Sequence, residues 1–316
     1  MSRENPVNIA ASITTKLHNL ARQHGWNYNY LLLRYANERF LYRLSVSPYA
    51  DNFVLKGSSL FIVWQNGNAY RHTMDADFLC FGRSDDEYLK KVFAEICDID
   101  SSGLDGMRYE AESVNVEPIR IENEYGGVCI TVNAFLGNAR LHLQFDIGIG
   151  DAITPEPEKL SYPVLLNGAV PVLRTYPKAT VIAEKTHAMV TRGEQNSRMK
   201  DFADLYTISE EFEFDYQILR LAMVRTFERR DTSVPVACPD CFSETFAMSK
   251  MKQVQWSAFL RKNSLNQLPI NFPLIVKRLS DFLLPVLLEQ RIVPIQWHPK
   301  EGWISSVFST NPGRLS

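Results

Sequence analysis

Asp75 and Asp77 stand one residue apart in Arg71-His72-Thr73-Met74-Asp75-Ala76-Asp77, and that spacing restricts the fold around them. Along a strand, side chains alternate between faces, so the two aspartates are expected to point one way while Met74 and Ala76 point into a core. Two carboxylates about 7 Å apart on one strand face repel each other unless a cation lies between them. Magnesium suits such a pair, because it is hard, prefers oxygen, and is usually held by few carboxylates plus substrate phosphates.

The segment just upstream extends the pattern. Phe53, Val54 and Leu55 form a short apolar run that stops at Lys56-Gly57-Ser58-Ser59, followed by the helical-looking stretch 60–65. This reads as strand, tight turn, helix start. A glycine there lets backbone approach a phosphate, the N–H groups at the helix start face the anion, and Ser58 can add a hydroxyl. A third carboxylate completes a two-metal arrangement. Asp146, in LHLQFDIGIGD, sits late in a strand with Phe145 and Ile147 on the opposite face, and Gly148 and Gly150 leave room beside it. Asp151, at the frayed end of that strand, is the fallback. Alternatively, Asp146 is an ordinary strand-end carboxylate.

A second constellation follows. Lys185 lies on a predicted helix whose apolar face carries Ile182, Thr186, Met189 and Val190, so its ammonium is expected to project into the cleft toward a triphosphate. Asp201 and Asp204 lie one turn apart, with Lys200 spaced to pair with Asp204. The alternative is a solvent-facing helix laced by salt bridges. His187 reads as a packed or interface histidine, and His72 as a turn residue near the proposed site.

The chain frames these motifs in two regions. Helices fill the first 50 residues, with Leu33, Ala36, Phe40 and Leu44 on one apolar face and Ser47-Pro48 ending it. Strands are predicted at 74–81, 109–119, 127–135 and 140–149, the last two joined by a Gly137-Asn138 turn, with a charged helix at 85–96. After Pro155 and Pro157 the character changes, and from about Tyr176 helical periods dominate, at 177–191, 199–211, 215–229 and 270–289, with Pro285 inside the last. The tail from Arg291 reads as irregular. The expectation is an α+β protein, with a mixed-sheet lobe over residues 1–170 and a helical lobe over 171–316.

Composition narrows the classes. A net charge of −2 gives no global pull toward nucleic acid, although Arg225, Arg229 and Arg230 cluster, as do Lys250, Lys252, Arg261 and Lys262. Each cluster also reads as a solvated face. Five scattered cysteines argue against a disulfide framework, and Cys238-x-x-Cys241 lacks the further ligands of a zinc site. No run of about 18 apolar residues exists and the first 20 residues do not form a secretion signal, so no membrane span and a cytoplasmic location are expected.

FVLKGSSL…YRHTMDADF, QFDIGIGD and AEKTHAMVTRGEQNSRMKDFADLY resemble the nucleotidyltransferase toxins of the AbiEii group, which includes the MenT toxins. The resemblance runs in order from about Ala36 to Tyr206 and continues more faintly through QWSAFLRKN to the C-terminal helix. It implies a DNA-polymerase-β-like nucleotidyltransferase lobe joined to a helical lobe, Mg²⁺, a nucleoside triphosphate donor and a cognate antitoxin. Carried across, the turn glycine and hydroxyl fall on Gly57 and Ser58, the metal carboxylates on Asp75 and Asp77, the motif lysine on Lys185 and the later aspartate on Asp201. Asp146 takes the place of the third metal carboxylate. Many members have two glycines where this chain has Gly-Ser-Ser.

The implied reaction is in-line attack of a hydroxyl on the α-phosphate with pyrophosphate leaving, and Lys185 and Arg71 offsetting triphosphate charge. Characterised relatives modify the 3′ end of tRNA, so a tRNA acceptor and a role in a toxin–antitoxin or phage-defence system are expected. Two rivals stand beside this: nucleotidylation of a protein hydroxyl, and an inert module acting only through its partner.

Overall fold

The computed structural model describes residues 8–119, 126–289 and 295–305. The chain divides into two units, one comprising Met1–Asp151 with Pro157–Tyr176, the other Ala152–Glu156 with Pro177–Ser316.

The first unit begins with two helices, α1 (Ile9–His24) and α2 (Tyr28–Val46), capped by the side chains of Asn8 and Asn27. Strand β1 (Phe53–Lys56) enters a tight turn at Gly57–Ser59 and a single-turn helix, α3 (Leu60–Trp64). Then come β2 (Ala76–Cys80), α4 (Asp86–Cys97), α5 (Ser102–Asp105), β3 (Met107–Pro118), β4 (Gly127–Leu136) and β5 (Ala139–Ile149). Two short strands, β6 (Glu158–Ser161) and β7 (Val172–Thr175), complete the unit. The seven strands form one mixed sheet in the order β3-β4-β5-β2-β1-β7-β6. With its helices this makes the α+β fold expected.

That sheet buries one face under helices. Phe40 of α2 stacks on Phe145 of β5 at 4.4 Å and on Phe93 of α4 at 5.6 Å, and Phe53 meets Phe78 edge-on at 6.0 Å. Along β4 and β5 the alternation is clean: Val128, Ile130, Val132, Leu143, Phe145 and Ile147 are buried, while Cys129, Thr131, Gln144 and Asp146 are half-buried on the other face. Period-two patterning therefore leaves one sheet face for chemistry.

Several expectations need correction. The strand over 74–81 starts at Ala76, so Met74 does not point into the core and is 47% exposed. Helix α2 does not bury a single apolar face. It is enclosed on nearly all sides and carries buried Arg34, Asn37, Glu38, Arg39 and Arg43. Burial is tolerated because the charges find partners: Arg43 forms a two-pronged bond with Asp105, and Glu38 accepts from Leu165 N–H at 2.7 Å. Strands β6 and β7 fell in a stretch read only as a change of character, each being four residues long.

The second unit is mostly helical: α6 (Lys178–Arg192), α7 (Met199–Glu211), α8 (Tyr216–Arg229), α9 (Glu244–Met248), α10 (Lys250–Asn263) and α11 (Phe272–Leu287). Asp215 caps α8 by accepting from Ile218 N–H, and α11 continues through Pro285. Helix α10 was not expected, since its apolar and charged residues follow no clear period. The tail is not wholly irregular either. Strand β8 (Phe214–Asp215) pairs with β9 (Ile295–His298), which pairs with β10 (Gly302–Ser305). Trp297 drives that order, fully buried and donating from its indole to Ser209 O at 2.8 Å. The Asn311-Pro312-Gly313 turn lies outside the described residues.

Candidate active site

Residues directly opposite one another across a sheet share a face and lie about 5 Å apart. On the open face of the first unit this rule assembles a row. Lys56 of β1 is opposite Asp77 of β2, Asp77 is opposite Asp146 of the parallel strand β5, and Asp146 is opposite Cys129 of β4. Asp77, Asp146, Cys129 and Lys56 are all half-buried. Beside the pair read along one strand, register thus makes a pair across two strands, Asp77 with Asp146. Asp75 precedes β2 and is exposed.

Gly57 turns the chain immediately after Lys56, with φ +70°. A Cβ at residue 57 would lie 1.9 Å from Asp77 Oδ2 and 2.5 Å from Asp77 Cγ. The glycine is therefore required by the Asp77 carboxylate itself, which occupies that space, as well as by backbone conformation. The helix start expected to face an anion is the one-turn α3, so the dipole behind it is that of a few peptides.

The loop leading to Asp75 is fastened from several sides. Ser58 and Thr73 share a hydroxyl–hydroxyl bond of 2.6 Å, Ser59 donates to Asp75 O at 3.1 Å, and Asn37 of α2 donates to Met74 O at 2.9 Å. His72 stacks on Tyr30 with ring centroids 3.7 Å apart. Arg71, half-buried, donates from Nε to the Tyr70 hydroxyl at 3.2 Å. Gln144 donates to Asp146 Oδ1 at 3.0 Å, which orients that carboxylate. Burial, then the adjacent Asp146 carboxylate, push the Cys129 thiol up to about 11, so Cys129 is a neutral neighbour in the row.

Sequence reasoning passed over Lys56 and assigned Asp151 only as a spare carboxylate. Lys56 Nζ lies 2.8 Å from Asp151 Oδ2, and the two side chains are 17% and 13% exposed. The pairing of β1 with β2 that sets Lys56 opposite Asp77 is not written in the local sequence.

The second unit holds the other constellation. Lys185 Nζ of α6 lies 2.9 Å from Asp201 Oδ1 and 2.7 Å from Asp204 Oδ2 of α7, and Arg198 Nε lies 3.0 Å from Asp201 Oδ2. Both aspartates are almost fully buried and the Lys185 side chain is only 14% exposed. The reading of a solvent-facing, salt-bridged helix is thereby overturned, and Asp204, spaced for Lys200, bonds Lys185. Lys252, taken as part of a solvated cluster, is also buried and donates to Asn196 O at 2.8 Å. His187 is packed as expected. Its Nδ1 faces Arg230 Nη1 at 3.2 Å and must accept, since a guanidinium only donates, which leaves Nε2–H for Thr232 at 2.8 Å.

Among the described residues no three or more His, Cys, Asp or Glu side chains gather into a metal cluster. All five cysteines are free, and Cys241 is buried while Cys238 is exposed. The Asp77–Asp146 pair nevertheless fits magnesium in kind: oxygen donors only, two of them adjacent, with the rest of an octahedral shell left to water and phosphate oxygens. No helix among the described residues is long and apolar enough to cross a membrane.

The family model "Nucleotidyl transferase AbiEii toxin, Type IV TA system" matches residues 39–280, which include both constellations. No curated protein matches the chain. Among solved structures, JHP933 from Helicobacter pylori is 13% identical, with 84% of this chain and 94% of that chain covered and a TM-score of 0.47. A second H. pylori protein, described as a candidate nucleotidyltransferase, is 15% identical over 83% of this chain and 94% of its own, with a TM-score of 0.46.

Proposed function

We propose a function from the premise that this chain belongs to the AbiEii family of nucleotidyl transferase toxins: it transfers a nucleoside monophosphate from a nucleoside triphosphate to an RNA 3′ end, a tRNA in the first instance, and so blocks translation. The reaction falls in the EC 2.7.7 class, depends on Mg²⁺, and is restrained by an antitoxin. The observation that carries this reading is the in-register pair Asp77–Asp146 beside the Gly57 turn.

Asp77 and Asp146 would hold the ion, with Asp75 at the strand entrance as the third carboxylate. When bound, magnesium supplies charge neutralisation for the triphosphate and lowers the pKa of an attacking hydroxyl. Gln144 keeps the Asp146 carboxylate turned into the row, and Gly57 keeps Asp77 in place. Ser58, next to Gly57, would offer a hydroxyl to phosphate oxygens, and Arg71, in the loop that leads to Asp75, would offer a cation. Lys185 and Asp201 of the second unit carry the family motif, and their ion-paired, buried state suits a group that holds one orientation through a turnover.

A site built from so few carboxylates leaves most of the magnesium shell to phosphate and water oxygens, so the metal and the triphosphate should bind together, each completing the other's site. The test incubates the protein and magnesium with each labelled triphosphate, total RNA and total protein. Label on RNA 3′ ends supports the proposal. Label on protein alone moves the acceptor to a protein hydroxyl. If neither is labelled and no triphosphate raises the melting temperature with magnesium, the chain is an inert partner-binding module and the proposal fails.

A further inference from the structure

Lys56 is the basic side chain whose backbone position falls in the carboxylate row, directly opposite Asp77, and its surroundings hold it there. Its ammonium is 2.8 Å from Asp151 Oδ2 and 5.4 Å from the centre of the Tyr176 ring. A Cβ at Gly148, the β5 residue two beyond Asp146, would lie 3.1 Å from Lys56 Nζ, 3.6 Å from Lys56 Cε and 3.5 Å from Asp151 Oδ2. The lysine therefore lies over a strand position left bare of side chain. It is fixed by a carboxylate and lies near an aromatic ring.

From this arrangement we propose that Lys56 binds the phosphate chain of the triphosphate in the first unit, with Asp151, Tyr176 and Gly148 as the cradle that aims it. The inference rests on the nucleotidyltransferase reading and deepens it. A partly buried ion pair contributes little to stability on balance, because desolvation offsets most of the attraction. A lysine kept in such a pair beside two carboxylates is therefore better explained by what it meets when substrate arrives. A triphosphate carries more negative charge than one divalent ion offsets, and a lysine ammonium is a compact point charge suited to phosphate oxygens. Asp151 holds the ammonium in the row beforehand, so little side-chain entropy is lost on binding.

The test measures binding of a nucleoside triphosphate and of the matching monophosphate, with magnesium and without acceptor, to wild type, Lys56→Ala, Lys56→Arg, Gly148→Val and Asp151→Asn. One lost charge-assisted hydrogen bond corresponds to about a 10- to 100-fold weakening. Lys56→Ala should show that loss for the triphosphate with little change for the monophosphate, and Lys56→Arg should recover part of it. Gly148→Val should reproduce the loss by displacing the lysine, and Asp151→Asn, whose amide oxygen still accepts from the ammonium, should show a smaller loss by holding it less firmly. Lys56→Ala takes an ammonium from half-enclosed Asp151 and should lower nucleotide-free melting, whereas Lys56→Ala with Asp151→Asn should recover melting without recovering triphosphate binding. Wild-type triphosphate affinity in Lys56→Ala, or equal losses for both nucleotides, overturns the role of Lys56 alone. Absence of triphosphate binding by the wild type overturns the nucleotidyltransferase reading and this inference with it.

Discussion

The Asp77 carboxylate occupies the space that a side chain at Gly57 would fill, its Oδ2 lying 1.9 Å from the position of that missing Cβ. A turn glycine and a strand aspartate that read as separate motifs in the sequence are thus one steric unit. Whatever enters position 57 moves the carboxylate.

Gly57→Ala should therefore destabilise the protein and disable the row together. An alanine at φ +70° costs about 1–2 kcal/mol from backbone strain alone, before Asp77 is displaced. Urea denaturation should show that loss, and label transfer should fall at least as far as in an Asp77 variant. Wild-type transfer by Gly57→Ala would show that Asp77 is not needed in this position.

Asp77→Ala should abolish transfer while leaving the protein folded. Asp77 is half-buried opposite Asp146, so removing it relieves like-charge repulsion in the metal-free protein, and stability should change by less than about 1 kcal/mol. Combined with Gly57→Ala, it should restore part of the lost stability, since the clash involves Asp77 side-chain atoms. Near-normal labelling by Asp77→Ala would sink the assignment.

Lys185→Ala should lower stability markedly, contrary to what a solvent-facing lysine would do. It strips Asp204 and Asp201 of an ammonium at 2.7 and 2.9 Å, although Arg198 still faces Asp201. Breaking a buried pair from one side costs about 3 kcal/mol. Lys185→Ala with Asp204→Asn should recover stability without recovering transfer. A melting temperature unchanged in Lys185→Ala would contradict the burial described.

Partial desolvation of its ring, which is stacked on Tyr30 although the residue is exposed overall, then the nearby Arg34 guanidinium, holds His72 below its ordinary pKa of 6.5. The unfolded chain then binds more protons than the folded one just below pH 6.5, so this contribution to stability is present above 6.5 and lost as pH falls through that window. Urea denaturation of wild type and His72→Phe from pH 8 to 5 should show the wild-type advantage shrinking below 6.5. A constant difference would mean that the His72–Tyr30 stack does not respond to protonation.

Arg225 and Arg229 lie exposed on α8, four residues apart, whereas Arg198 faces buried Asp201 and Arg230 faces Glu184 at 3.6 Å. If the acceptor is RNA, Arg225→Glu with Arg229→Glu should reduce RNA labelling while leaving triphosphate binding intact. Each phosphate contact removed should flatten the salt dependence of binding by roughly 0.7 in the log–log slope for a single strand. RNA labelling indifferent to salt and to both charges would count against this surface.

Local pattern carried much of this protein. The β4–β5 hairpin around Gly137, with φ +57°, and helix α4 behind its Asp85 cap follow from residues close in sequence. So do helices α6, α7 and α8 and the alternation that leaves Asp146 between buried Phe145 and Ile147. Short strands such as β6, β7 and β9 were not legible, because four residues hold too little periodicity to separate a strand from a loop.

Tertiary structure alone decided the neighbours. Sequence proposed Asp77 and Asp146 separately, and only the parallel pairing of β2 with β5 makes them adjacent. The same holds for Lys56 with Asp151, for Lys185 with Asp201 and Asp204, and for the buried charges of α2, where Arg43 reaches Asp105. Periodicity is set by backbone geometry within a few residues, so it can be read along the chain. A pairing between distant segments is chosen by the packing and charge compensation of the whole unit, and no local pattern contains it.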